Sequence, residues 1–163
     1  MFALHCTAKL RDRLNRPRKS ETLPTSTALG DWYATALFWR PQLALLVNER
    51  TLIPVLMPLA PAVTLPERFG PALAQLLRRH GVCQRFIESE VAEMAEVAVV
   101  KTNNRRVVGT MNEFCFEATV HREQSGTADL LSLAMWLAQT PCGAIGYSTP
   151  ARLLKEVVKA ATH

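Results

Sequence analysis

The sequence predicts an α+β fold: an antiparallel β-meander sheet of about five strands with a helical C-terminal half packed on it. Three observations carry this expectation. Apolar runs of strand length at 32–39, 43–47 and 51–57 are separated by the three-residue polar breaks Arg40-Pro41-Gln42 and Asn48-Glu49-Arg50, the signature of a meander. From Pro66 onward, apolar residues recur mostly at spacings of three and four, the helical period. The chain has 163 residues, 48% of them apolar and 20% charged, enough for one domain with a core that needs neither disulfides nor a structural metal.

In chain order, Phe2 to Thr7 alternates apolar and polar residues and reads as a short strand, followed by a short helix on which Leu10 and Leu14 lie four apart. Residues 15–30 are polar, carry Pro17 and Pro24 and end in Gly30, so a mobile loop is expected there. Leu43 to Val47 is apolar throughout, as in a strand covered on both faces, and Pro54 places the third strand of the meander at an edge or a bulge. Helices are expected over Pro66–His80, stopped by Gly81, and over Cys83–Ala95. Val97 to Lys101 forms a further strand, and Thr102-Asn103-Asn104 caps the helix behind it. Helices over Thr127–Gln139 and Pro150–Ala161 complete the chain, the last with Thr149 as cap and Pro150 in its first turn.

Composition narrows the function classes. Nineteen Lys and Arg against fourteen Asp and Glu give a formal charge of +5. Six of the positives and one negative, Asp12, fall between residues 9 and 19, so this segment carries the whole net charge and the rest of the chain is neutral. Cys6, Cys83, Cys115 and Cys142 are widely spaced with no C-x-x-C pair, the usage of a reducing compartment, and a cytoplasmic location is expected. No apolar run approaches the ~20 residues that would span a bilayer. No zinc-ligand spacing, P-loop, dinucleotide fingerprint, G-x-S-x-G or H-E-x-x-H occurs, so neither a metal nor a cofactor is expected.

Two basic clusters are the candidate binding residues. The first is Lys9, Arg11, Arg13, Arg16, Arg18 and Lys19, which could neutralise phosphates or form a solvated helix end and loop. The second, Lys101 with Asn103, Asn104, Arg105 and Arg106, lies between a strand and a helix N-terminus, where free N–H groups and the helix dipole favour an anion; ordinary capping is the other reading. Within the helix that follows, Gly109 hints at close packing by another element, and Asn112 and Glu113 fall off the apolar stripe. With Tyr147 from the loop 140–150 and the two Arg, they could form a polar catalytic site. Cys142, set beside any of His5, His80, His121 or His163, is the alternative nucleophile, although an unreactive thiol is the simpler reading.

The blocks Lys101-Thr102-Asn103-Asn104-Arg105-Arg106-Val107-Val108-Gly109-Thr110-Met111-Asn112-Glu113-Phe114 and Thr140-Pro141 with Gly146-Tyr147 and Pro150, together with Cys6 to Leu10 and Leu45 to Thr51, resemble an uncharacterised bacterial domain-of-unknown-function family. The resemblance covers nearly the whole chain and implies a fold and a bacterial setting but no activity. The tail from Thr140 to Pro150 is also similar to the ending of some integrase-type transposases, whose acidic metal-binding triad has no counterpart here. The expected function is therefore a binding or regulatory module for a polyanion (nucleic acid) or an acidic protein partner. An enzyme built on Arg105, Arg106, Asn112, Glu113 and Tyr147 is one alternative. The other is a protein–protein interaction module, self-associating or not, that uses the Pro54 strand or the Leu130–Leu137 helix.

Overall fold

The computed structural model describes residues 1–16, 24–126 and 129–162. Strands are β1 (Phe2–Cys6), β2 (Trp32–Leu37), β3 (Leu43–Asn48), β4 (Pro54–Pro58) and β5 (Val97–Lys101). Helices are α1 (Ala8–Leu14), α2 (Leu65–Arg79), α3 (Gln84–Glu93), α4 (Arg105–Ser125), α5 (Leu130–Leu137) and α6 (Pro150–Ala161). Among the described residues the five strands form one sheet in the order β4-β3-β2-β1-β5.

β2, β3 and β4 are the antiparallel meander, with Trp32 opposite Asn48 and Leu46 opposite Val55. The apolar strand β3 lies inside the sheet and is fully buried, and Pro54 opens the edge strand β4, where a missing backbone donor costs least. The β3–β4 turn is tied by Asn48, whose Nδ2 donates to the Leu29 carbonyl at 2.9 Å while its Oδ1 accepts from the Thr51 amide at 3.0 Å.

The sheet is mixed rather than purely antiparallel, because β1 runs parallel to both of its neighbours, β2 and β5. The reason lies in the connections. Antiparallel neighbours can be joined by a tight turn, whereas residues 7–31, with α1 among them, are long enough for the crossover that parallel neighbours require. Nor are helices confined to the C-terminal half, since α1 follows β1 directly.

Side-chain parity separates the two faces of the sheet. Phe2 and Trp32 meet Phe69 of α2, with ring centroids 6.0 and 4.9 Å apart. Cys6 shares their face and is packed by α1, close to Arg11. On the opposite face, Trp39 donates from Nε1 to the Thr119 hydroxyl of α4 at 3.2 Å. Helices α1 and α2 thus cover one face and α4 the other. Burying each large ring in these layers contributes roughly 2–3 kcal/mol before the entropic cost is counted.

Helix ends follow the local rules. Asn104 caps α4, its Oδ1 accepting from the amides of Arg106 at 3.0 Å and Val107 at 3.4 Å, and left-handed Gly126 ends that helix. Thr149 caps α6 by accepting from the Arg152 amide at 3.2 Å. Of the polar segment 15–30, residues 17–23 lie outside the described residues. Its second part is packed and hydrogen-bonded: Leu29 is buried, and the amides of Ala28 and Leu29 each donate to the Glu90 carboxylate at 2.9 Å.

Candidate anion-binding site

Cys6 at the end of β1 pairs with Lys101 at the end of β5, so the chain leaves two adjacent parallel strands side by side. From β1 it enters α1 on one face, and from β5 it passes through Thr102-Asn103-Asn104 into α4 on the other. Helices diverging to opposite faces leave a crevice outside the carboxyl ends of the strands, the place where open α/β sheets bind ligands. Thr7, Lys9 and Arg11 lie in the segment that leaves β1, one bank, and Lys101, Asn103 and Arg105 in the segment that leaves β5, the other. The β2–β3 turn at the same end adds Arg40, which is exposed.

The first basic cluster is divided by its contacts. Lys9 is exposed, with its ammonium 5.3 Å from the centroid of the Phe38 ring. Arg11 lies against Cys6, and its Nε and Nη1 are enclosed with no hydrogen-bond partner among the described residues. A guanidinium shielded from water without an acceptor is costly, and these two nitrogens are closed to solvent. Burial pushes the Cys6 thiol up to about 12 against the opposing pull of Arg11, so Cys6 is an inert wall and not a nucleophile. Arg13 donates to Gln42 Oε1 at 2.6 Å. Arg16 pairs with Glu67, whose carboxyl the hydrogen bond holds below the ordinary range, and donates to the Val63 carbonyl at 3.3 Å. Arg13 and Arg16 are therefore engaged with the protein itself, and Arg18 and Lys19 lie outside the described residues.

The second cluster divides in the same way. Lys101 and Arg105 are exposed and make no side-chain hydrogen bond or ion pair with the described residues. Asn103 accepts a hydrogen bond from the Tyr33 hydroxyl, and Asn104 is occupied as the α4 cap. Arg106 donates to the Ala144 carbonyl at 2.9 Å, which fastens the loop before α6 to the start of α4.

Behind the crevice lies a polar layer made of residues not singled out as site residues from the sequence. The His5 ring stacks on Tyr33 with centroids 4.5 Å apart, its Nδ1 is 3.2 Å from the Lys101 carbonyl, and its Nε2 is 3.4 Å from Asp31 Oδ2. Both ring nitrogens face acceptors, a carbonyl on one side and a carboxylate on the other. Asp31 Oδ1 in turn accepts from the Ala3 amide at 3.0 Å and from the Thr25 hydroxyl. This layer fixes the end of β5 and the turn that carries Asn103. The parallel register setting His5 beside Tyr33 has no local signature, which is why sequence reasoning missed it.

The other sequence-derived candidates do not converge on the crevice. Asn112 and Glu113 are exposed on α4, and Tyr147 is 77% exposed with a left-handed backbone at φ 63°. Cys142 is buried, and burial together with Glu113 and Glu117 pushes its thiol up to about 11. Gly109 departs from the close packing expected of it: a Cβ built there would meet nothing within 4 Å, because the residue faces solvent.

Compared with known families, residues 3–153 match the model of DUF6933, a domain of unknown function. The chain belongs to the DUF6933 family. The matched span takes in β2 to β5, all of β1 but Phe2, both banks of the crevice and the polar layer behind it, so the candidate site lies wholly within the DUF6933 domain. No curated protein and no solved structure matched this DUF6933 chain. Among the described residues, no helix is long and apolar enough to cross a membrane, and no group of three or more His, Cys, Asp or Glu is placed to hold a metal ion.

Proposed function

We propose that this protein is a binding module for the phosphate backbone of a nucleic acid, held at the carboxyl ends of β1 and β5. The observation that carries this reading is the convergence of two segments far apart in sequence on one end of the sheet. Lys9 and Arg11 follow the end of β1, Lys101 and Arg105 stand at and just past the end of β5, and Arg40 follows β2 at the same end of the sheet; Asp12 is the acidic residue of the same segments. Exposed cations with no acidic partner among the described residues suit a phosphate, which needs no base contact to bind. The reading includes a cytoplasmic setting, in keeping with the low cysteine content.

A filter-binding titration of the protein with a radiolabelled oligonucleotide, repeated over a range of salt concentrations, tests it. Log affinity is expected to fall linearly with log salt, and Lys9→Gln, Lys101→Gln or Arg105→Gln should each reduce the slope by about one. Lys159→Gln on the exposed end of α6 should leave the slope unchanged. No retention at low salt, or a slope indifferent to the three crevice substitutions, overturns the proposal. Displacement by polyglutamate at charge concentrations equal to those of nucleic acid would instead assign the site to an acidic protein.

A further inference from the structure

Two exposed aromatic rings, one just past the end of β2 and one on α4, have no part in phosphate binding. Phe38, just past the end of β2, is 58% exposed. Phe116, on the solvent side of α4, is 71% exposed. Trp39, next in the chain to Phe38, lies against α4, with the Arg122 guanidinium 3.9 Å from its ring. The Lys9 ammonium sits over Phe38, and its charge also acts on the thiol of Cys115, the residue before Phe116. Lys9 therefore belongs both to the phosphate crevice and to this aromatic surface.

We propose that the strand bound at the crevice is single-stranded, with its bases stacking on Phe38 and Phe116. This inference rests on the phosphate-backbone reading and names the substrate class within it. A duplex offers phosphates and groove edges but keeps the faces of its bases stacked inside. A single strand exposes those faces, and any base can lie on an open ring while its phosphate meets a nearby Lys or Arg. An aromatic ring with a cation over it, repeated at Phe38 with Lys9 and at Trp39 with Arg122, matches that alternation of base and phosphate. A lone exposed phenylalanine needs no explanation, but Phe38 follows a strand end next to basic residues and carries the Lys9 ammonium against its ring.

Fluorescence anisotropy with the intact protein separates the possibilities through three probes of equal length: a labelled oligothymidylate, a duplex, and an abasic phosphodiester strand carrying the same phosphates. The single strand is expected to bind at least tenfold more tightly than either of the others. Phe38→Ala and Phe116→Ala should each weaken it about 5- to 100-fold with the salt slope unchanged, and Phe38→Trp should restore binding. Both positions are exposed, so circular dichroism should show an intact fold. Val63→Ala, a truncation of another exposed apolar residue, should have no effect. Equal affinity for the three probes, or full binding by both phenylalanine variants, overturns stacking while leaving phosphate binding in place. No binding to any probe overturns both.

Discussion

His80 shows how one buried nitrogen shapes stability. It caps α2, its Nε2 is enclosed with no hydrogen-bond partner among the described residues, and burial, aided by the ammonium of Lys155, lowers its pKa from the ordinary 6.5 to about 4. The unfolded chain takes up a proton near pH 6.5, whereas the folded chain resists until about pH 4. Stability supplied by the neutral ring is therefore complete above about pH 6.5 and declines as the pH falls toward about 4. Urea unfolding at pH 7 and pH 5 is expected to show a loss of about 1–2 kcal/mol that His80→Gln lacks. Equal pH dependence in the two proteins would refute this. At this scale the sequence is legible where the chemistry is local, as with the caps Asn104 and Thr149. It is silent where partners are distant: Glu90 anchoring Leu29, and Tyr33 reaching Asn103, are products of the fold.

The elements were legible from periodicity because burial imposes it. β5 and α6 fall at Val97–Lys101 and Pro150–Ala161 as expected, bounded by polar caps and turn residues that act within a few positions. The direction of β1 was not legible from its own five residues, since an interior strand presents the same buried run whether its neighbours are parallel or antiparallel. Only the length of the connection over 7–31 carried that information. Gly109 yields a prediction of its own. It sits in the second turn of α4, solvent-facing, with open space where a Cβ would be, so Gly109→Ala should stabilise the protein by about 1 kcal/mol and raise its melting temperature. A lower melting temperature would mean that the backbone there does something a methyl group prevents.

Across the whole molecule, β1 holds the sheet together: it pairs with β2 on one side and β5 on the other, and buries every one of its side chains. Deleting residues 1–7 would leave β5 with no strand partner and uncover the rings of Trp32 and Phe69. Such a chain is expected to lose its cooperative urea transition, and a sharp transition near that of the intact protein would show that the rest stands without β1. Charge is redistributed at the same scale. The linear count puts the whole net positive charge in residues 9–19, but folding commits Arg13 and Arg16 to internal contacts and brings Lys101, Arg105 and Arg40 to the crevice end. Composition could reveal the excess of cations but not which of them remain free, because that depends on where Gln42 and Glu67 come to lie.

The pairing of Cys6 with Lys101 also has a temporal side. One bank of the crevice belongs to a strand synthesised before the meander and the other to a strand synthesised after it, so the meander can assemble on a growing chain well before the two banks can meet. Closing so long a loop carries an entropic cost that short hairpins avoid. The binding site should therefore be acquired only after residue 106 has emerged, so a nascent chain would not acquire affinity for its ligand until the helices between β4 and β5 have already been made.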